Sequence, residues 1–296
     1  MKNKLNTKLI SVMTLLLLAA LLISSISGCG RETSTTGKVI VAVSVLPQAG
    51  FVEAIGGHKV EVVVMVPPGA SPHTYEVTAD QMTQLSSAKV YAKVGSPVEF
   101  ELAWMDKLIA LNKTMLVVDC SKGINLIASQ DPDEPGLDPH IWLSLKNAKI
   151  MVQNICDGLV QVDAANKSYY EKNCADFIKE LTALDESFMA DLSGVTNRSF
   201  VVFHPAFGYF ANDYNLTQIG VEQEGKEPDA DYIVRLITEA KGNGTKVVFV
   251  SPQYNTKSAK TIADEIGGEV VIIDPLAKEF IENMRNIESA MKQAME

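Results

Sequence analysis

Short apolar strands and helical segments alternate along this chain in two successive sets, and that doubled alternation leaves little freedom in the fold. Val39–Val45, Glu61–Val66, Val90–Val94 and Met115–Val118 form a first set of strand candidates. Phe200–Phe203, Thr217–Val221, Val247–Val250 and Val270–Ile273 form a second. Most are rich in Val and Ile with little polar alternation, as expected of parallel strands covered on both faces. Helical patterns lie between them. Thr78 with Gln81 has the form of a capping box ahead of Met82 and Leu85, and Asp229 and Thr256 are N-cap candidates for the helices that follow them. Strand–helix repeats of this kind close through right-handed crossovers. The pattern predicts an α/β chain of two lobes, each a four-stranded, mainly parallel sheet flanked by helices.

A different pattern joins the two sets. From Ala164 to Leu192, the residues Tyr170, Cys174, Phe177, Leu181, Leu184, Phe188 and Leu192 recur at intervals of three and four, with no Gly or Pro among them. That is one apolar stripe on one long helix, about 40 Å long at a rise of roughly 1.5 Å per residue. The expected organisation is a first lobe over 38–162, a linker helix over 163–193 and a second lobe over 194–296.

Residues 1–28 have the layout of a signal peptide. Lys2, Lys4 and Lys8 precede the apolar run Leu9–Leu22, and Ile26-Ser27-Gly28 precede Cys29. The last four residues resemble a lipobox, with Ile26 where Leu is more usual, so Cys29 is the expected lipidation site. The Ser/Thr/Gly stretch over 29–37 reads as a flexible tether. No other apolar run is long enough to span a bilayer. The expected location is therefore extracytoplasmic, at the cell membrane, held by lipid on Cys29. The formal net charge of -10 excludes a nucleic-acid-binding class, which needs basic surface against phosphate, and is compatible with a cationic ligand. Cys120, Cys156 and Cys174 match neither a metal knuckle nor a redox pair. Cys156 and Cys174 fall on helical patterns as small buried hydrophobes, and no obligatory disulfide is expected.

The chemistry concentrates in the four histidines. His73 closes Pro67-Pro68-Gly69-Ala70-Ser71-Pro72-His73 after a strand, His140 stands in Asp138-Pro139-His140, and His204 ends a strand before Pro205. Asp274 has the same setting in Ile273-Asp274-Pro275. Open α/β sheets bind ligands beyond the carboxyl ends of their strands. Proline restricts its own φ and the residue before it, so such loops lose little entropy on closing around an ion. Imidazole and carboxylate suit Zn²⁺ in tetrahedral geometry, and Mn²⁺ if the carboxylate is bidentate. His58, after Gly56-Gly57, reads as an exposed turn residue.

The lipobox, Gly69-Ala70-Ser71-Pro72-His73 with Tyr75-Glu76, Asp138-Pro139-His140-Ile141-Trp142-Leu143, Phe203-His204-Pro205-Ala206-Phe207 with Tyr209-Phe210, and Ile273-Asp274-Pro275-Leu276 together resemble the zinc/manganese-binding lipoproteins of ABC transporters, the cluster 9 solute-binding family. The resemblance covers nearly all of the mature chain. It implies metal ligation by His73, His140, His204 and Asp274, and a monomer that hands its metal to an ABC permease. Glu222 and Glu224 fall in a stretch near the family's cleft and are not expected to be ligands. Many zinc receptors of the family carry a long His/Asp/Glu-rich loop, and here Asp131-Pro132-Asp133-Glu134 is short and free of histidine. Many manganese receptors carry Glu where this chain has His204. Three nitrogens favour zinc, while the missing loop leaves manganese or iron open. A stiff linker helix predicts a small tilt between lobes on loading, not a wide hinge closure. A zinc hydrolase is disfavoured because no His-Glu-x-x-His helix is present and a fourth protein ligand fills the open position; no Gly-rich phosphate loop is present either. A surface adhesin with an incidental metal site is the remaining alternative.

Overall fold

The computed structural model describes residues 37–129, 136–222, 227–254 and 257–295. Cys29, the tether up to residue 36, Asp131 to Glu134, Glu224 and the Thr256 cap lie outside the described residues. Residues Lys38–Glu296 form one compact unit.

All eight expected strands are present: β1 (Val39–Val43), β2 (Val60–Val64), β3 (Val90–Lys93), β4 (Leu116–Asp119), β5 (Ser199–Val202), β6 (Thr217–Gly220), β7 (Val247–Val250) and β8 (Glu269–Ile272). They build two four-stranded sheets, ordered β2-β1-β3-β4 and β6-β5-β7-β8, and every pairing is parallel. In each sheet the first strand of the set lies inside. The loop after it and the loop after the inner strand beside it, β3 in one sheet and β7 in the other, therefore diverge, which makes a switch point of the kind where α/β sheets hold ligands. Val41, Ala42 and Val43 of β1 have no exposed surface, as a strand covered on both faces requires.

The helices follow their sequence signals. They are α1 (Leu46–Gly56), α2 (Ala79–Leu85), α3 (Glu99–Leu111), α4 (Leu145–Val162), α5 (Lys167–Ser193), α6 (Gly208–Asp213), α7 (Ala230–Gly242), α8 (Lys257–Ile266) and α9 (Phe280–Met295). Thr78 and Gln81 make the expected capping box at α2, and the Asp229 carboxylate accepts from Tyr232 N at 2.7 Å at the start of α7. The linker departs from expectation in one detail. Ala164–Asn166 form a 3-10 turn, and the α-helix proper begins at Lys167. Tyr170, Cys174, Leu181, Leu184, Phe188 and Leu192 of its stripe are buried, while Phe177 is half-buried against Phe51. Among the described residues, Cys120, Cys156 and Cys174 form no disulfide and are buried.

The core explains how the lobes are held. Alternate residues of the second sheet face opposite ways. Val201, Phe203, Val248 and Val250 pack under α7 and α8, while Phe200, Val202, Val247 and Phe249 join the core that runs through the first lobe and α5. Side chains close to the carboxyl ends of the strands tie the halves further. Trp142 Nε1 donates to Pro275 O at 2.8 Å, the Tyr209 hydroxyl donates to Asp138 O at 3.1 Å, and Ser144 Oγ donates to Asp213 Oδ2 at 2.5 Å. A shared apolar core resists wide separation, because opening it would expose surface worth roughly 25 cal/mol per Å².

Candidate metal centre

Each site histidine stands on a loop that its own sequence braces. His73 ends the proline-rich loop after β2. Tyr75 N donates to Ser71 O at 3.1 Å, and Phe100 N, in the first turn of α3, donates to Pro72 O at 3.0 Å. His140 follows the loop after β4, where Ser96 Oγ donates to Pro139 O at 2.5 Å. His204 comes directly after β5, and Glu222 N, beyond the adjacent β6, donates to Phe203 O at 3.0 Å. The loops after the two edge strands of the first sheet, β2 and β4, and after the inner strand β5 of the second thus deliver residues far apart in the chain to one place.

The three rings converge. His73 Nε2 and His140 Nε2 each stand 3.1 Å from His204 Nε2. On the other side of each ring a carboxylate waits: Glu99 Oε2 at 2.8 Å from His73 Nδ1, Asp138 Oδ1 at 2.9 Å from His140 Nδ1, and Glu222 Oε1 in hydrogen-bonding contact with His204 Nδ1. A carboxylate only accepts, so each Nδ1 is the donor and carries the ring's proton. Each Nε2 is then a bare lone pair. Three lone pairs aimed at one point repel one another unless a cation lies between them. The two 3.1 Å spacings are close to the roughly 3.3 Å that a tetrahedral ion with bonds of about 2.0–2.1 Å to nitrogen would set, and one ligand atom from each of the three residues lies within 4.8 Å of the others. The cavity between them, about 10 Å³, is the size of one water or ion, since a single water needs roughly 10–15 Å³ by this measure.

The surroundings hold the rings still. Trp142 lies edge-on to His140 with centroids 5.4 Å apart, and Tyr254 stacks on His204 at 5.1 Å and 21°. Asp138 also accepts from His140 N at 2.8 Å, so one oxygen fixes both backbone and ring. Gly208 borders that carboxylate so closely that a Cβ there would stand 2.2 Å from Asp138 Oδ2; only glycine lets α6 approach. Full burial, with the His140 and His73 rings beside it, pushes the His204 pKa well below the ordinary 6.5. Burial alone would raise the Glu99 carboxyl, but its hydrogen bonds to the His73 ring and to its own backbone N–H help hold it below its usual value.

Asp274 is placed differently from the histidines. It is not part of the three-histidine group. It stands in the loop after β8, whose next two residues, Pro275 and Leu276, line the cavity. Its Oδ1 accepts from Leu276 N at 2.9 Å and from Gln253 Nε2 at 3.0 Å. His58 is exposed, as expected, and outside the group. Sequence reasoning missed Glu99 and Gln253. It singled out Glu222 without its role as the partner of His204 Nδ1. The Asp138-Pro139-His140 spacing did carry a signal, since an acid two residues before a histidine can reach its Nδ1.

Two outcomes follow from this geometry. Asp138→Asn replaces an obligate acceptor with a side chain that can donate, so His140 is free to move its proton to Nε2. Zinc affinity is expected to fall about 10–100-fold with the fold intact, measured by competition against a chelator. The pH dependence of the zinc-free protein is the second outcome. Because the folded His204 pKa lies below the unfolded 6.5, the unfolded chain binds the proton first in the interval between them. Stability is full above about pH 6.5 and falls as pH drops through that interval. Thermal melts from pH 7.5 to 5.5 should show a shallower decline for His204→Asn than for the unaltered zinc-free protein.

A two-lobed α/β fold with an ion-sized, histidine-lined cavity between its sheets defines a metal-binding solute receptor. The comparisons make this specific: residues 41–294 match the family described as zinc-uptake complex component A, periplasmic (ZnuA), and the chain belongs to that family, which consists of metal-binding transport receptors and not enzymes. It is 28% identical over 260 residues to the high-affinity zinc uptake system protein ZnuA of Bacillus subtilis, covering 83% of this chain and 81% of that one. It is 28% identical over 276 residues to the zinc-binding lipoprotein AdcA of Streptococcus pneumoniae, covering 88% of this chain and 54% of AdcA, so it spans about half of that protein. A zinc-bound deletion mutant of ZnuA superposes with a TM-score of 0.81 at 39% identity, covering 87% of this chain and 98% of the other.

Proposed function

We propose that this protein captures one zinc ion outside the cytoplasm and delivers it to the permease of an ABC importer. The ion is held by Nε2 of His73, His140 and His204, with the Asp274 carboxylate as fourth ligand. The carrying observation is the convergence of three imidazole lone pairs, each fixed by a carboxylate behind it, around a space for one ion. Three nitrogens favour zinc, and manganese is the next candidate. The zinc-uptake and zinc-binding names of the relatives support the same reading.

The organisation proposed is a lobe over 38–162, a linker over 163–193 and a lobe over 194–296, acting as a monomer tethered by lipid on Cys29. The shared core and the hydrogen bonds between the halves support a small tilt on loading; small-angle scattering with and without zinc should give nearly equal radii of gyration, and a large compaction would contradict it. In a strain lacking the gene, zinc accumulation at low external zinc should drop and return with the unaltered gene but not with His204→Ala. Unchanged accumulation would overturn the receptor reading in favour of an adhesin.

A further inference from the structure

The loop after β7 holds a group that the three-histidine arrangement does not use. Gln253, in Ser251-Pro252-Gln253-Tyr254, lines the same cavity as His73, His140 and His204. Its Nε2 donates to Asp274 Oδ1, which already accepts from Leu276 N. Its Oε1 is buried and has no hydrogen-bond partner. Turning the amide over would set Oε1 against the Asp274 oxygen, acceptor against acceptor, so Asp274 dictates the orientation and Oε1 is left unpaired. A buried unpaired acceptor is unfavourable and uncommon in a folded protein. The fold retains one here, beside the metal cavity, in exchange for the grip on Asp274.

That grip changes what the carboxylate can offer. An oxygen that accepts two N–H donors has its lone pairs engaged, which leaves Asp274 only Oδ2 for a metal. The cavity of about 10 Å³ is the size of one water or ion. Zinc is satisfied by four donors in a tetrahedron, whereas manganese favours oxygen-rich, higher coordination with carboxylates free to chelate.

We propose that Gln253 is a specificity-determining positioning residue: by holding one oxygen of Asp274, it limits the site to three nitrogens and one oxygen and so widens the preference for zinc over manganese. This rests on the reading that His73, His140, His204 and Asp274 bind the cargo ion. Zinc binds more tightly than manganese at most nitrogen sites, so the prediction concerns the ratio of affinities.

The test uses the whole mature protein. Gln253→Met keeps the bulk without the donor, and Gln253→Ala removes the side chain. Zn²⁺ and Mn²⁺ affinities are measured by competition, the visible spectrum is recorded with Co²⁺ bound, and X-ray absorption counts the donors around Zn²⁺ in the unaltered protein. The expected results are four donors around zinc, an intense tetrahedral Co²⁺ band that weakens in both variants, and a zinc-to-manganese ratio lowered about tenfold. Five or six donors around zinc in the unaltered protein would overturn the proposal, and that measurement needs no variant to fold. So would a Co²⁺ spectrum and ratio unchanged in both variants while His204→Ala loses zinc, with the metal site itself left standing. If His204→Ala binds zinc as tightly as the unaltered protein, the site lies elsewhere and both readings fall together.

Discussion

His204→Ala is expected to lower zinc affinity by two to three orders of magnitude. His204 is the central ring, with the other two Nε2 atoms each 3.1 Å from its own. Structural zinc sites are worth roughly 10–16 kcal/mol, and four donors sharing that contribute roughly 2.5–4 kcal/mol each. At 1.4 kcal/mol per decade this is a factor of about 100 to 1000. The substitution also strips the buried Glu222 carboxylate of the imidazole it faces, so the zinc-free variant should melt below the unaltered protein. His58→Ala is the matched control. That ring is exposed and outside the group, and its removal should leave zinc affinity unchanged. Competition titration of the three proteins decides it; equal affinities for His204→Ala and His58→Ala would contradict the assignment.

Trp142→Ala should have the largest effect on stability. The ring is among the largest fully buried side chains, lies against His140 and bonds across to Pro275 O. Emptying so large a buried site costs about 3–5 kcal/mol. At roughly 2–4 °C per kcal/mol for a domain of this size, the melting temperature should fall by about 10 °C. Zinc should restore part of the loss, because a ligand that binds only the folded state stabilises it by mass action. A melting temperature within a degree or two of the unaltered protein would show that the contact between Trp142 and the Asp274 loop does not hold the halves together.

Much of this was legible because it is written locally. Short, uniformly apolar, Val-rich runs such as Val247–Val250 have the form expected of covered parallel strands, and the Thr78–Gln81 box and the α5 stripe are signals that can be counted in the sequence. The three histidines were legible for a different reason: strand-end loops with adjacent prolines are where an α/β fold places ligands. What stayed hidden depends on three-dimensional proximity. Glu99 is 26 residues from His73 in the chain, and only the docking of α3 under the proline loop brings them together. Gln253 and Asp274 meet because β7 and β8 are neighbours, and strand order is not a property of either segment alone. The 3-10 turn at Ala164–Asn166 also escaped notice: the residues there are compatible with a helix, and the apolar stripe that carried the reading starts only at Tyr170.

The most direct test of the central claim is the zinc stoichiometry and affinity of the metal-stripped, tether-truncated protein, with manganese as competitor. The three lone pairs and their carboxylates predict one equivalent of zinc, held with a dissociation constant of roughly nanomolar or tighter and displaced poorly by manganese. Binding of neither ion, or zinc binding that survives loss of all three site histidines, would contradict it.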